Sequence, residues 1–95
     1  MRHTILQTPR GLGDLVGREV ALTRQLEEKL GKLLSGWGYR EVRTPTIEFA
    51  DVLAKGSEGE LSEAFRFVDR QGDLVALRPE MTTPCARLLG SRLMA

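Results

Sequence analysis

A chain of 95 residues, 41% apolar and 28% charged, has the composition of a folded globular piece, and its length suits one small domain or part of a larger one. Fourteen Lys and Arg against thirteen Asp and Glu leave a net charge of +1, which argues against a general nucleic-acid or membrane-surface binder. One Cys excludes an internal disulfide, one Cys with one His cannot furnish a zinc site, and no apolar run approaches the roughly 20 residues of a membrane span.

Met1-Arg2-His3-Thr4 has no signal-peptide core behind it, so a cytoplasmic protein is expected. Thr8-Pro9-Arg10-Gly11-Leu12-Gly13-Asp14 is turn chemistry, because Pro fixes φ and Gly admits angles that other residues avoid. Gly11-Leu12-Gly13 is not a dinucleotide-binding loop: Val16 stands where the third glycine belongs, and no strand pattern precedes it. From about Gly17 to Ser35 the pattern is helical. Leu22, Leu26, Leu30, Leu33, Leu34 and Trp37 recur at three- and four-residue spacing, with Arg24, Glu27, Glu28 and Lys32 largely off that stripe. Gly36 and Gly38 end it.

Tyr39-Arg40-Glu41-Val42-Arg43-Thr44 alternates as a short strand and stops at Pro45, whose missing N–H fits an edge or a strand end. Thr46-Ile47-Glu48-Phe49 leads into a short helix over Ala50–Ala54, and Lys55–Glu60 reads as a polar, glycine-containing loop. Ala64–Val68 and Leu74–Leu77 read as strands joined through Asp69–Asp73, a hairpin with a longer turn. Thr83 as N-cap and Pro84 at the first helical position open a last helix, with Cys85, Leu88, Leu89 and Leu93 at helical spacing. The chain stops at Ala95 without a closing element, so residues 1–95 are read as the N-terminal portion of a single larger domain.

The turn into the last helix concentrates polar groups: Arg78, Glu80 and Thr82. A carboxylate with a hydroxyl suits an ammonium group, since the carboxylate neutralises it and both accept its hydrogens. The same residues fit a local role, with Glu80 paired to Arg78 or placed at the helix N-terminus and Thr82 helping to cap it. Spacing alone favours that local role. Cys85 has no positioned base, because the one histidine is His3 near the chain start. It is read as a buried small apolar residue, and no catalytic residue is assigned.

Several of these pieces, in order, carry a resemblance. They are Pro9-Arg10-Gly11 with Asp14, Trp37-Gly38-Tyr39 at a helix end, Glu41-Val42-Arg43-Thr44-Pro45, the hairpin Phe67–Gly72, and Leu77-Arg78-Pro79-Glu80-Met81-Thr82. The chain resembles the beginning of class II histidyl-tRNA synthetases and of their paralogue, the regulatory subunit of ATP phosphoribosyltransferase. The resemblance implies an α+β fold, a mostly antiparallel sheet with flanking helices. It implies that Glu80 and Thr82 hold the α-amino group of histidine. It further implies a twofold homodimer interface in motif one, here Leu30, Leu34, Trp37, Val42 and Pro45. Met81 occupies the position where active synthetases typically carry Gly, and with Pro84, Ala86 and Arg87 it matches the regulatory subunit. The expected function is that of a non-catalytic subunit in the first step of histidine biosynthesis. Such a subunit activates a short-form catalytic ATP phosphoribosyltransferase and serves histidine feedback, with no cofactor, metal, membrane or nucleic-acid partner. The alternatives are a histidyl-tRNA synthetase, an ATP-dependent histidine–tRNA ligase, and a synthetase-like piece that only dimerises.

Overall fold

Gly17, at a φ of 58°, turns the chain into the first helix, α1, which spans Arg18–Gly36. Ahead of it, Leu12 N–H donates to Pro9 C=O at 3.0 Å, with Gly11 at a φ of 81° completing the expected turn. The helix ends in a Schellman arrangement: Gly38 N–H donates to Ser35 C=O at 3.0 Å and Tyr39 N–H to Leu34 C=O at 3.1 Å. That closure needs a left-handed residue, which Gly38 supplies at a φ of 89°. None of the residues of α1 is buried, and Leu22, Leu26, Leu30, Leu33 and Leu34 all stay exposed.

The structure is a computed structural model that describes residues 4–56 and 58–93; His3, Ser57 and Ala95 lie outside the described residues, as do the side chains of Glu58, Glu60 and Leu93. Its contacts divide it into two compact units, one up to Glu41 and one from Val42 onwards. Among the described residues no helix is long and apolar enough to cross a membrane.

The second unit is built on a three-stranded antiparallel sheet of β1 (Ile47–Phe49), β2 (Arg66–Val68) and β3 (Leu74–Leu77), in the order β1-β3-β2. Glu48 and Arg66 both lie opposite Ala76. Helices α2 (Ala50–Gly56), α3 (Glu58–Glu63) and α4 (Thr82–Leu88) complete it, the last running into a π-helical turn at Leu89–Leu93. Contacts of α2 with β1, β3 and α4 enclose a small core of Ala50, Leu53, Val75, Ala76 and Pro84. Burying Leu53 completely contributes about 1.5–3 kcal/mol. Asp69 shapes the hairpin turn, its Oδ1 accepting from Gln71 N–H at 3.0 Å and Asp73 N–H at 2.9 Å.

Three expectations are corrected here. The strand over 39–44 is absent, and the first strand forms beyond the proline, at Ile47–Phe49. The carbonyls of Thr44 and Pro45 instead accept from the Arg78 guanidinium, at 2.6 and 3.0 Å. The polar stretch 55–60 is not one loop, because α2 runs on through Gly56 and α3 starts at Glu58. The last helix begins at Thr82 with Met81 as N-cap, so Thr83 is not the cap and Pro84 is the third helical residue. A proline is tolerated there because the first-turn N–H groups have no intrahelical acceptor.

Candidate functional site

Strand β3 delivers the chain to the polar turn under tight control. Arg78 N–H donates to Thr46 C=O at 3.0 Å, extending the β1–β3 ladder by one bond. Its guanidinium reaches Thr44 Oγ1 at 3.0 Å as well as the two carbonyls before β1. Arg78 is thereby committed to the segment before β1, and the expected Arg78–Glu80 pair is not formed among the described residues. Pro79, lacking an N–H, ends the ladder and frees the next residues to turn.

The carboxylate of Glu80 folds onto the start of α4. Its Oε1 accepts from Thr83 N–H at 3.0 Å, and its Oε2 accepts from Thr82 N–H. These bonds, led by the Thr83 amide and joined by the Thr82 and Thr83 hydroxyls, hold its pKa below the ordinary value of 4.5, against a smaller opposing effect of desolvation. Glu80 therefore stays ionised and caps the helix from outside it, the local role foreseen for it. Each carboxylate oxygen retains acceptor capacity beyond these bonds. Glu80 and Thr82 come together as expected, and both line an open cleft of about 650 Å³ between α2 and α4. Lys55, Thr83 and Arg87 supply its other charged and hydroxyl groups. Met81 is 43% exposed, at a φ of −105° that any residue adopts.

The floor between the two helices is tight. A Cβ on Gly56 would run into Thr83 Oγ1 and stand 3.2 Å from its Cβ and Cγ2, so α2 approaches α4 where only a hydrogen fits. Beside this contact lies a pair that reasoning from sequence missed. Arg87 Nε donates to Glu48 Oε1 at 2.9 Å, joining α4 to β1. The Glu48 side chain is 4% exposed and that of Arg87 32%. Glu48 Oε2 is buried and accepts no hydrogen bond among the described residues. Ile47-Glu48-Phe49 hints at a strand with one acidic position, yet a single sequence does not reveal which face the fold will cover.

The remaining expected residues fall in separate places. Leu30 and Leu34 share one face of α1 at four-residue spacing, and Trp37 forms its C-cap, 79% exposed. Val42 and Pro45 belong to the second unit, and both are exposed. Cys85 is half-buried rather than fully enclosed. Among the described residues no group of three or more His, Cys, Asp or Glu converges as a metal site would require.

Comparison with known proteins gives a consistent picture. Residues 11–95 match the family described as histidyl-tRNA synthetase. The chain is 51% identical to the ATP phosphoribosyltransferase regulatory subunit of Moorella thermoacetica, over 93% of this chain and 23% of that protein. It is 38% identical to the histidine–tRNA ligase of Archaeoglobus fulgidus, over 87% of this chain and 20% of that protein. Among solved structures, a Bacillus halodurans protein described as an ATP phosphoribosyltransferase regulatory subunit/histidyl-tRNA synthetase superposes with a TM-score of 0.82 at 28% identity. That match covers 98% of this chain and 24% of the other. The chain thus spans about a quarter of the length of the relatives it matches. Its α+β fold is that of the matched portion of these histidyl-tRNA synthetase-like structures.

Proposed function

We propose a regulatory role for this chain, which belongs to the histidyl-tRNA synthetase family. In this reading the whole protein is the regulatory subunit of ATP phosphoribosyltransferase and does not itself transfer a phosphoribosyl group or charge tRNA. It works in the cytoplasm as a homodimer, activates a short-form catalytic subunit, and carries histidine feedback to it. Glu80 and Thr82 hold the histidine α-ammonium group, while Leu30, Leu34, Trp37, Val42 and Pro45 contribute to the dimer interface. The observation that carries the reading is the chain's higher identity to the named regulatory subunit than to the named ligase. Met81, where the resemblance has Gly typical of active synthetases, supports it from the site itself.

The test mixes the whole protein with a short catalytic ATP phosphoribosyltransferase and, separately, with ATP, histidine and tRNA. Stimulation in the first assay and no histidyl-tRNA in the second are expected. The likeness to a histidine–tRNA ligase sustains a second reading, an active synthetase. Robust histidyl-tRNA formation without stimulation of the transferase would establish it.

A further inference from the structure

We infer that Arg78 is a positioning residue that couples dimer formation to ligand binding, by tying the chain segment at Pro45 to the turn at Glu80. The inference rests on the proposed reading that puts Val42 and Pro45 at a dimer interface and Glu80 and Thr82 at histidine. Three consecutive carbonyls, those of Thr44, Pro45 and Thr46, all accept from Arg78. Its backbone N–H donates to Thr46 C=O at 3.0 Å, while its Nη1 donates to Thr44 C=O at 2.6 Å and to Pro45 C=O at 3.0 Å. Nη1 also reaches Thr44 Oγ1 at 3.0 Å. The segment that carries Pro45 is thus held, through both backbone and side chain, by the residue that opens the ligand turn.

The path from Arg78 to Glu80 has few free rotations. Pro79 comes between them, and its ring fixes φ. Both carboxylate oxygens of Glu80 are engaged in turn by the Thr82 and Thr83 amides at the start of α4. A shift of Thr44 and Pro45 is therefore passed on to Glu80 rather than absorbed at a slack joint. The grip is also one that an interface contact can bias. Every acceptor Arg78 uses here is a neutral oxygen, and it forms no ion pair with a carboxylate among the described residues, so the hold is weaker than a fork-to-carboxylate pair. A second copy that orders residues 44–46 orders the turn as well, and the ligand then meets a site that needs less ordering. Linkage makes the effect reciprocal, so histidine must tighten the dimer by the same factor.

Sedimentation equilibrium of the whole protein, with and without saturating histidine, tests this. Histidine should lower the dimer dissociation constant of the wild-type protein by about fivefold or more, the lower end of typical coupling between sites. Arg78→Met keeps the apolar stem and removes the donors. It should bring that ratio within about twofold of unity while the variant still dimerises and still binds histidine. A residue that only stabilised the fold would lower the melting temperature and leave the ratio where it was. Should Arg78→Met fail to fold, Thr44→Val serves, since it deletes the hydroxyl acceptor alone, and the ratio should fall part of the way. A dimer that histidine leaves unchanged or weakens in the wild-type protein overturns this inference alone, as does an undiminished ratio in a folded variant. A whole protein that forms no dimer or binds no histidine removes the proposed reading and the inference with it.

Discussion

Protonating Glu80 weakens the acceptor that the amides of Thr82 and Thr83 share, and this gives the turn a measurable acid sensitivity. The folded pKa lies below the ordinary value of 4.5, so the stabilisation is fully present above that value and is lost as pH falls through the folded one. Glu80→Gln should lower the melting temperature near neutral pH, and the gap to wild type should close on acidification. Thermal melts across that range check it; a gap of constant size would mean that the charge plays no part in holding the turn. At the ligand end, Thr82→Val should weaken histidine binding by about 0.5–1.5 kcal/mol, the worth of one neutral hydrogen bond, as read by titration. If Thr82 serves the turn alone, the melting temperature falls and the dissociation constant stays put.

At the scale of elements, the approach of α2 to α4 makes Gly56 a sensitive position. Gly56→Ala should destabilise the fold by about 1–3 kcal/mol, because the β-branched Thr83 cannot clear all three of its contacting atoms by one rotation. Adding Thr83→Ala should recover most of the loss, so a double-mutant cycle from denaturant unfolding should show coupling. Much of the architecture was legible in the sequence: the α1 stripe, the hairpin and the polar turn all follow from periodicity and turn residues. The strand over 39–44 was misplaced for a definite reason. Alternation registers side chains, whereas strand formation depends on whether carbonyls find a ladder, and those of Thr44 and Pro45 are taken by Arg78. Glu48–Arg87 was illegible because its partners lie 39 residues apart and neither carries a local signature.

For the whole molecule, the exposed leucine face of α1 is the basis for expecting a twofold dimer. Leu30→Glu with Leu34→Glu places charge on that face and should convert a dimer into a folded monomer at micromolar concentration. Sedimentation velocity on the whole protein checks this. A wild-type protein already monomeric at high micromolar concentration counts against the interface, and an unfolded variant would instead assign the face to the protein's own core. A homodimer of this kind would present two copies of the cleft, so the stoichiometry of histidine per dimer offers an independent count.

The order β1-β3-β2 also dictates a sequence of events in time. As the chain is synthesised, β1 emerges first but has no ladder partner within this sheet until β3, the third of its strands, appears between it and β2. The hairpin of β2 and β3 closes locally, on a timescale of about 1–10 μs, with Asp69 organising its turn. β1 must then be captured across a longer loop, and the bonds of Arg78 to Thr44, just before it, and of Arg87 to its central Glu48 should form with that capture. Asp69→Ala should therefore slow refolding, whereas Ile47→Ala should chiefly hasten unfolding, a division that stopped-flow kinetics resolves. If Ile47→Ala proves the one that slows refolding, β1 joins the nucleus and the hairpin does not lead.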